Sequence, residues 1–318
     1  MSGRLSTAGR AAVAVLLVAG VTPGAATAAR TGSTTAAKAS AACVVSVGSV
    51  TATGAVAGKR ITPGAVTADK EDVGVFPAGA VRVSGSLSVD PDVTGYDASI
   101  TGYTVLGSTM YGTSYLITLD GVVDPTRPTH YRVGGGWGDT TFFETTRYWD
   151  YPDPPNLTTQ YQLRTDGTLT RWEMYYNNGN NPRLWANKQS ATGFGAVKTM
   201  AMISQTATYD TFLANTRGGA LYTIRLPRTS PLKPVVKKVR GSTWQAFDAL
   251  VAEKCGQYGT MLVGIDKDTQ SAYAYAVGHA NGTATVIQGL GKVPASFADP
   301  VYFRWQIRPG DAQMLFGE

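Results

Sequence analysis

The side chains best suited to chemistry in this chain are aromatic rings interleaved with short polar groups. Trp137, Trp172, Trp185, Trp244 and Trp305 recur along the sequence, and Asp139, Asp166, Asn187 and Asn215 lie close to them. An aromatic face covers the C–H surface of a sugar ring, and Asp and Asn side chains hydrogen-bond its hydroxyls. Asp166, Trp185, Asn187, Trp137, Asp139, Trp244 and Asn215 are therefore the candidate carbohydrate-binding residues. Packing between sheets is the competing role for the same tryptophans. Trp185 follows the polar loop Asn177-Asn178-Gly179-Asn180-Asn181-Pro182-Arg183, which makes it the ring best placed for exposure.

Other chemistries find less support. A glycoside hydrolase needs two or three carboxylates around one pocket. Asp120, Glu144, Asp166, Glu173, Asp248 and Asp266 are available, but several suit turns and no local motif marks an acid. There is no Gly-x-Ser-x-Gly elbow for a nucleophile. His130 and His279 stand apart from other ligand-like residues, and 2 Cys with 2 His exclude a multi-Cys or three-His zinc site. Asp90-Pro91-Asp92 and Asp266-Lys267-Asp268 do not complete a calcium loop and read as hairpin turns. Neither catalytic residue, metal nor cofactor is expected. Binding without turnover is favoured over catalysis.

Composition sets the partner classes. The chain has 318 residues with 28 Lys+Arg against 22 Asp+Glu, a mild excess that falls short of a nucleic-acid binder's basic footprint. Arg4 and Arg10, the apolar run Ala11–Gly20 and the small residues Ala26-Thr27-Ala28 read as an export signal over 1–28. That run is too short to span a bilayer. Residues 29–42 are small, polar and aperiodic, as in a flexible linker. Export places Cys43 and Cys255 in an oxidising compartment, where one disulfide is possible; two separate buried thiols are the alternative. A secreted, extracellular monomer without a membrane span is the expectation. The basic stretch Lys233–Arg240 reads as a solvated strand face or as an attraction for an anionic polymer or membrane surface.

The elements that must position these residues are strands. Val81–Val83, Ser86–Val89 and Ala272–Ala276 alternate at period two, and Gly, Pro, Asn and Asp separate such runs. Two elements then repeat in alternation. The first is a small residue, an aromatic and a strand: Gly95-Tyr96, Gly136-Trp137, Gly193-Phe194, Thr243-Trp244 and Ser296-Phe297. The second is a hairpin with a tight turn: Tyr115–Gly121, Tyr161–Trp172, Phe212–Ile224, Leu262–Tyr275 and Trp305–Phe316. Repeats of this length, with several strands each, indicate a β-propeller. The last hairpin has nothing downstream to complete its sheet, and the strands at 81–103 have nothing upstream. Joining them gives an all-β fold: a five-bladed β-propeller over 81–318, closed by N- and C-terminal strands sharing one blade. Residues 43–80 are left as a small N-terminal β extension. Trp244–Lys254 is read as a strand.

The unit Tyr161–Leu169, with its Asp166-Gly167-Thr168-Leu169 turn, followed by Leu184-Trp185 and Gly193-Phe194, resembles the tachylectin-type five-bladed propeller lectins. The resemblance covers about residues 81–316. It implies binding of N-acetylated amino sugars, with one site possible per blade. The turn becomes Arg217-Gly218-Gly219-Ala220-Leu221 in the next unit, and Asp120-Gly121 continues as Val122-Val123, so the blades are not equivalent. A structural or protein-interaction propeller is the alternative, and a propeller hydrolase is the third.

Overall fold

The structure is a computed structural model and describes residues 43–91, 93–148, 157–175, 184–307 and 314–318. The expected signal segment and linker, 1–42, lie outside the described residues. Almost all regular structure is strand.

The strands group into five four-strand units. The first combines β1 (Val45–Val50), β2 (Val56–Thr62) and β3 (Ala65–Asp72) with β20 (Val301–Ile307) from the other end of the chain. We call it sheet A. Sheet B holds β4 (Val81–Asp90), β5 (Ala98–Leu106), β6 (Thr109–Ile117) and β7 (Val123–Gly135). Sheet C holds β8 (Thr140–Tyr148), β9 (Leu157–Arg164), β10 (Leu169–Tyr175) and β11 (Leu184–Ala191). Sheet D holds β12 (Val197–Gln205), β13 (Tyr209–Thr216), β14 (Leu221–Pro227) and β15 (Val235–Arg240). Sheet E holds β16 (Ala249–Cys255), β17 (Gly259–Asp266), β18 (Ser271–Val277) and β19 (Ile287–Lys292). Each unit is antiparallel, and a short parallel pairing of Trp305–Ile307 with Leu87–Val89 joins sheets A and B.

Burial shows how the sheets are placed. In sheet D, β12 is almost wholly buried, whereas β15 exposes its first four residues. The inner strand is sandwiched on both faces and so reads VKTMAMISQ, while the outer strand VVKKVR carries its cations into water. The inner strands touch in a closed sequence, β4 to β8 to β12 to β16 to β20 and back to β4. That ring of radial sheets is a β-propeller, and the five units are compatible with the expected blade count.

Five apolar clusters fill the gaps between neighbouring sheets, one for each pair. Each gap receives an aromatic anchor from the loop that links its two sheets. The N–H of Phe76, Phe194, Trp244 and Phe297 donates at 3.0 Å to the turn carbonyls of Gly54, Gly167, Gly219 and Gln270 in the preceding sheet, and Trp137 N–H likewise to Ser108. Gly167 and Gly219 sit at φ +79° and +87°, and a Cβ on either would strike the incoming anchor loop. Glycine is needed there on both counts.

This symmetry corrects the frame of the repeat. The first anchor is Phe76, not Tyr96, and the sheet B counterpart of the repeated turn is Gly107-Ser108, whereas Asp120-Gly121 closes the opposite end between β6 and β7. Residues 43–80 are accordingly not an addition to the ring: β1–β3 supply three of the four strands of the closing sheet. Val45, Val47 and Ile61 bury against sheet E, and Val50, Val56 and Phe76 against sheet B. Trp244–Asp248 is a turn, and the strand expected from Trp244 begins at Ala249.

The disulfide is present. Cys43, just before β1, joins Cys255 at the end of β16 with Cα atoms 5.2 Å apart, tying sheet A to sheet E. His130 stacks on Phe76 at 5.0 Å and lies 2.8 Å from the Val75 carbonyl, a packing role at the sheet A–sheet B gap.

Candidate functional site

The seven candidate residues fall in three places. Trp137, Trp244 and Asn215 are in the packed interior. Trp137 and Trp244 are 8% and 5% exposed and serve as anchors. Asn215 is fully buried, and its Nδ2 donates at 2.8 Å to the carbonyls of both Trp244 and Phe247. It holds the anchor turn of sheet E, with no polar atom turned to solvent.

Asp139 and Asp166 meet at the anchor end of sheet C. Arg164 Nε donates to Asp139 at 2.7 Å and lies 4.0 Å from Asp166. Asp166 also accepts the Thr168 N–H at 2.8 Å across its own turn, which holds its carboxyl below the ordinary value. Both carboxylates are engaged in setting the turn.

Trp185 and Asn187 lie toward the outer edge of sheet C. Trp185 pairs with Met174, whereas the Asp166 turn precedes Leu169. Five strand residues separate the two positions, on the order of 15 Å at about 3.4 Å per residue. Asp166 and Trp185 therefore do not share one site.

A β-bulge organises this outer edge. Arg171 faces Gln189 and Glu173 faces Ala186, so Asn187 and Lys188 together oppose Trp172. Asn187 adopts φ +50°, a left-handed conformation that Asn tolerates better than most residues. Bulges re-aim side chains. Here Lys188 Nζ lies 5.7 Å from the Trp172 ring centroid on the face toward sheet B, while Asn187 Nδ2 donates to Glu173 Oε2 at 2.7 Å.

Two neighbouring surfaces result. On the side toward sheet D, Asn187 and the Tyr175 hydroxyl both donate to Glu173, and Tyr175 is 49% exposed. Burial opposes ionisation of Glu173, but the Tyr175 and Asn187 hydrogen bonds and the Arg171 charge hold its carboxyl below the ordinary value. Its oxygens remain acceptors at neutral pH. On the side toward sheet B, Trp185 Nε1 donates to Gln160 at 2.6 Å and its ring meets Tyr103 edge-on at 5.7 Å. Tyr131, 40% exposed, ends this aromatic row. Trp172 and Trp185 are half-buried.

Tyr175, Tyr131 and Lys188 were not among the candidates. Alternation in Arg171-Trp172-Glu173-Met174-Tyr175 carries the signal for Tyr175, because it places Glu173 and Tyr175 on one face and Trp172 and Met174 on the other. The bulge that adds Lys188 to the opposite side has no comparable mark in the sequence.

The remaining carboxylates are distributed among turns, ion pairs and the ring axis. Asp120 accepts from Thr118, Asp266 from the Asp268 N–H, and Asp248 pairs with Lys198 at 2.8 Å. Glu144 lies beside the axial channel, which has a volume of about 110 Å³ and is lined by all five inner strands. That is well below the roughly 300–1,000 Å³ of small-molecule pockets. Burial raises the Glu144 carboxyl above its ordinary value, opposed by hydrogen bonds from Ser86 Oγ at 2.7 Å and Thr145 N–H at 2.8 Å. Below the unfolded value both states hold the proton. Above it the folded state retains a proton that the unfolded chain releases, so this group lowers stability as pH climbs toward the raised folded value. Glu144→Gln keeps the shape and removes the titration. Its unfolding free energy is expected to exceed the parent's at pH 8 more than at pH 4, measured by urea unfolding; an equal difference at both pH values contradicts this assignment.

No family model matches the chain, and no curated relative does. Solved structures do. BP39L lectin from Burkholderia pseudomallei is 15% identical with a TM-score of 0.38, covering 78% of this chain and 66% of that one, just under two thirds of its length. An arginine-to-alanine triple mutant of AofleA from Arthrobotrys oligospora is 9% identical with a TM-score of 0.42, covering 83% and 76%. The WD40 domain of SCAP from fission yeast is 8% identical with a TM-score of 0.34, covering 78% and 69%. Likeness this low does not transfer a function, so the functional reading rests on the chain's own residues. No helix of the described residues is long and apolar enough to cross a membrane.

Proposed function

We infer that the protein is a secreted, monomeric, non-catalytic carbohydrate-binding β-propeller. The observation that carries the reading is the bulge at Asn187–Lys188, which sets aromatic rings beside ionised or amide groups on both sides of one exposed edge. A sugar needs that pairing of an apolar face with nearby hydroxyl partners. The site proposed here comprises Tyr175, Glu173 and Asn187 on one side and Trp172, Trp185 and Lys188 on the other. The tachylectin-type resemblance of the sheet C unit supports N-acetylated amino sugars as the ligand class. The disulfide suits an extracellular location.

One ring with few hydrogen bonds gives a weak contact, in the millimolar range or about 4 kcal/mol. Retention then depends on several contacts along a polymer, because linked sites gain effective concentration without new interactions. Binding is expected on immobilised amino-sugar polymer such as chitin far more readily than to the monosaccharide. Tyr175→Ala, Asn187→Ala and Trp185→Ala are each expected to reduce retention at least threefold. Tyr175→Ala, at an exposed position, should leave the melting temperature nearly unchanged, whereas Asn187→Ala also places alanine at φ +50° and should lower it modestly. Asp166→Ala should alter retention little, since that side chain sets its own turn. Unaltered retention in all three edge variants contradicts the site.

A protein-interaction role has its own observation. The outermost strand β15 leaves Val235 and Val236 45% and 50% exposed beside Lys237 at its start, while the 282–285 turn packs against its later residues. A fully soluble chain that retains no glycan but captures a protein partner through this edge would favour that second reading.

A further inference from the structure

Residues 314–318 lie across the end of sheet D away from the anchor loops, and they are held as a bound peptide would be. Gln205 N–H donates to the Leu315 carbonyl at 3.0 Å, Gly317 N–H to the Ile203 carbonyl at 2.8 Å, and Ala280 N–H to the Gly317 carbonyl at 2.6 Å. Phe316 bridges to Ser204, extending the end of the inner strand β12. These are main-chain contacts of the kind that add an extended segment to a sheet.

Side chains supply selectivity at both ends. Leu315 is 1% exposed and inserts into the apolar cluster between sheets C and D. At Gly317 a Cβ would meet Thr260 Oγ1 at 2.5 Å and the Ile203 carbonyl oxygen at 2.9 Å, so only glycine fits. Glu318 is 8% exposed. Its N–H donates to Ser204 Oγ at 2.7 Å, and its main-chain oxygen accepts from Ser204 Oγ at 3.3 Å and from Tyr209 OH at 3.2 Å. Arg225 Nε reaches its carboxylate at 3.3 Å, and Lys237 Nζ lies at 4.0 Å. Arg225 is itself placed over the Tyr209 ring, 4.3 Å from the centroid. A basic, aromatic-backed pocket thus receives the acidic side chain of Glu318 three positions after the buried Leu315, across an obligatory glycine.

We propose that this end of sheet D is a peptide-docking seat for short extended segments of the pattern Leu-x-Gly-Glu, and that 314–318 is its exchangeable resident. A peptide of the same pattern on another chain, a second copy included, competes for the seat. The seat draws on sheets C, D and E, and none of its contact residues belongs to the sugar site at the outer edge of sheet C.

The test uses the full chain and a fluorescent peptide of sequence Met-Leu-Phe-Gly-Glu. Gly317→Leu expels the resident segment while leaving the seat intact. This variant is expected to bind the peptide at least tenfold more tightly than the parent, because a competitor held on the same chain has been removed. Adding Arg225→Ala should reverse the gain at least fivefold, and replacing the peptide's Glu by Gln should do the same. Equal peptide binding by parent and Gly317→Leu, or equal binding of a scrambled peptide, overturns the proposal. Amide exchange on the parent decides the matter if Gly317→Leu does not fold. The Gln205 and Ala280 amides are expected to exchange at least tenfold faster than the amides in the middle of β12, reporting release of the segment alone. Exchange of those two amides only with global unfolding makes the segment a fixed part of the core and overturns the proposal.

Discussion

A chain ending at Pro300 is expected to lose its cooperative melting transition altogether. That truncation removes β20, the inner strand of sheet A and the one that pairs with both β1 and β4. Val301 and Phe303 are 5% and 4% exposed, and each contributes about 1.5–3 kcal/mol by burial. Arg304 donates to Glu253 at 2.6 and 2.8 Å, and breaking such a buried pair costs about 3–5 kcal/mol because one charge is left behind. Together these losses match the total stability of an ordinary domain, about 5–15 kcal/mol. Opening a ring also exposes the facing surfaces of sheets B and E. Circular dichroism melting with size-exclusion chromatography checks this. A soluble 1–300 chain that melts in one sharp transition contradicts closure by the shared sheet.

Removing the disulfide is expected to have the second-largest effect. Cys43 and Cys255 are separated by 212 residues, and the loop-entropy estimate for a bridge of that span is about 5 kcal/mol. The geometry adds a specific consequence. Sheet A is built from the two ends of the chain, so Cys43–Cys255 anchors the first strand to sheet E at the closure itself. Cys43→Ser with Cys255→Ser is expected to melt at least 10 °C below the parent and to fray first in β1–β3, read by amide exchange. Thiol labelling of the denatured, unreduced parent should find no free thiol. Stoichiometric labelling of both cysteines, or an unchanged melting temperature in the double variant, contradicts it.

The sequence made the repeat legible wherever residue type is dictated by backbone geometry. The turns at Gly167 and Gly219 need positive φ, so they stand out, and the anchors Trp137, Phe194, Trp244 and Phe297 follow small residues or left-handed positions that mark the same bend. The frame slipped at the first unit because Val75 precedes Phe76 where the other copies carry Gly, Thr or Ser, and because the Thr51–Ala55 turn contains no Asp-Gly. Gly95-Tyr96 imitated the pattern better than the true anchor did. That slip turned three strands of the closing sheet into an extension. Propeller closure depends on pairing across the whole chain, which local pattern does not encode.

The binding edge was legible in part. Asn187 and Trp185 were visible as polar and aromatic groups beside an Asn-rich loop, but the same criteria selected Trp137, Trp244 and Asn215, which the fold buries. The anchors Trp137 and Trp244 follow left-handed Gly136 and Thr243, whereas half-buried Trp185 follows Leu184, but how deeply each ring is covered is decided by which loop crosses which gap. The Lys188–Trp172 contact depends on a bulge that only strand register reveals.

The most direct test of the central claim is a glycan-array screen of the chain beginning at residue 29, followed over time for release of reducing sugar. Binding is expected to glycans that contain N-acetylated amino sugars, stronger on multivalent than on monovalent display, with no sugar released. Absence of binding across an array that includes chitin oligomers, or steady release of reducing sugar, contradicts a non-catalytic carbohydrate-binding propeller.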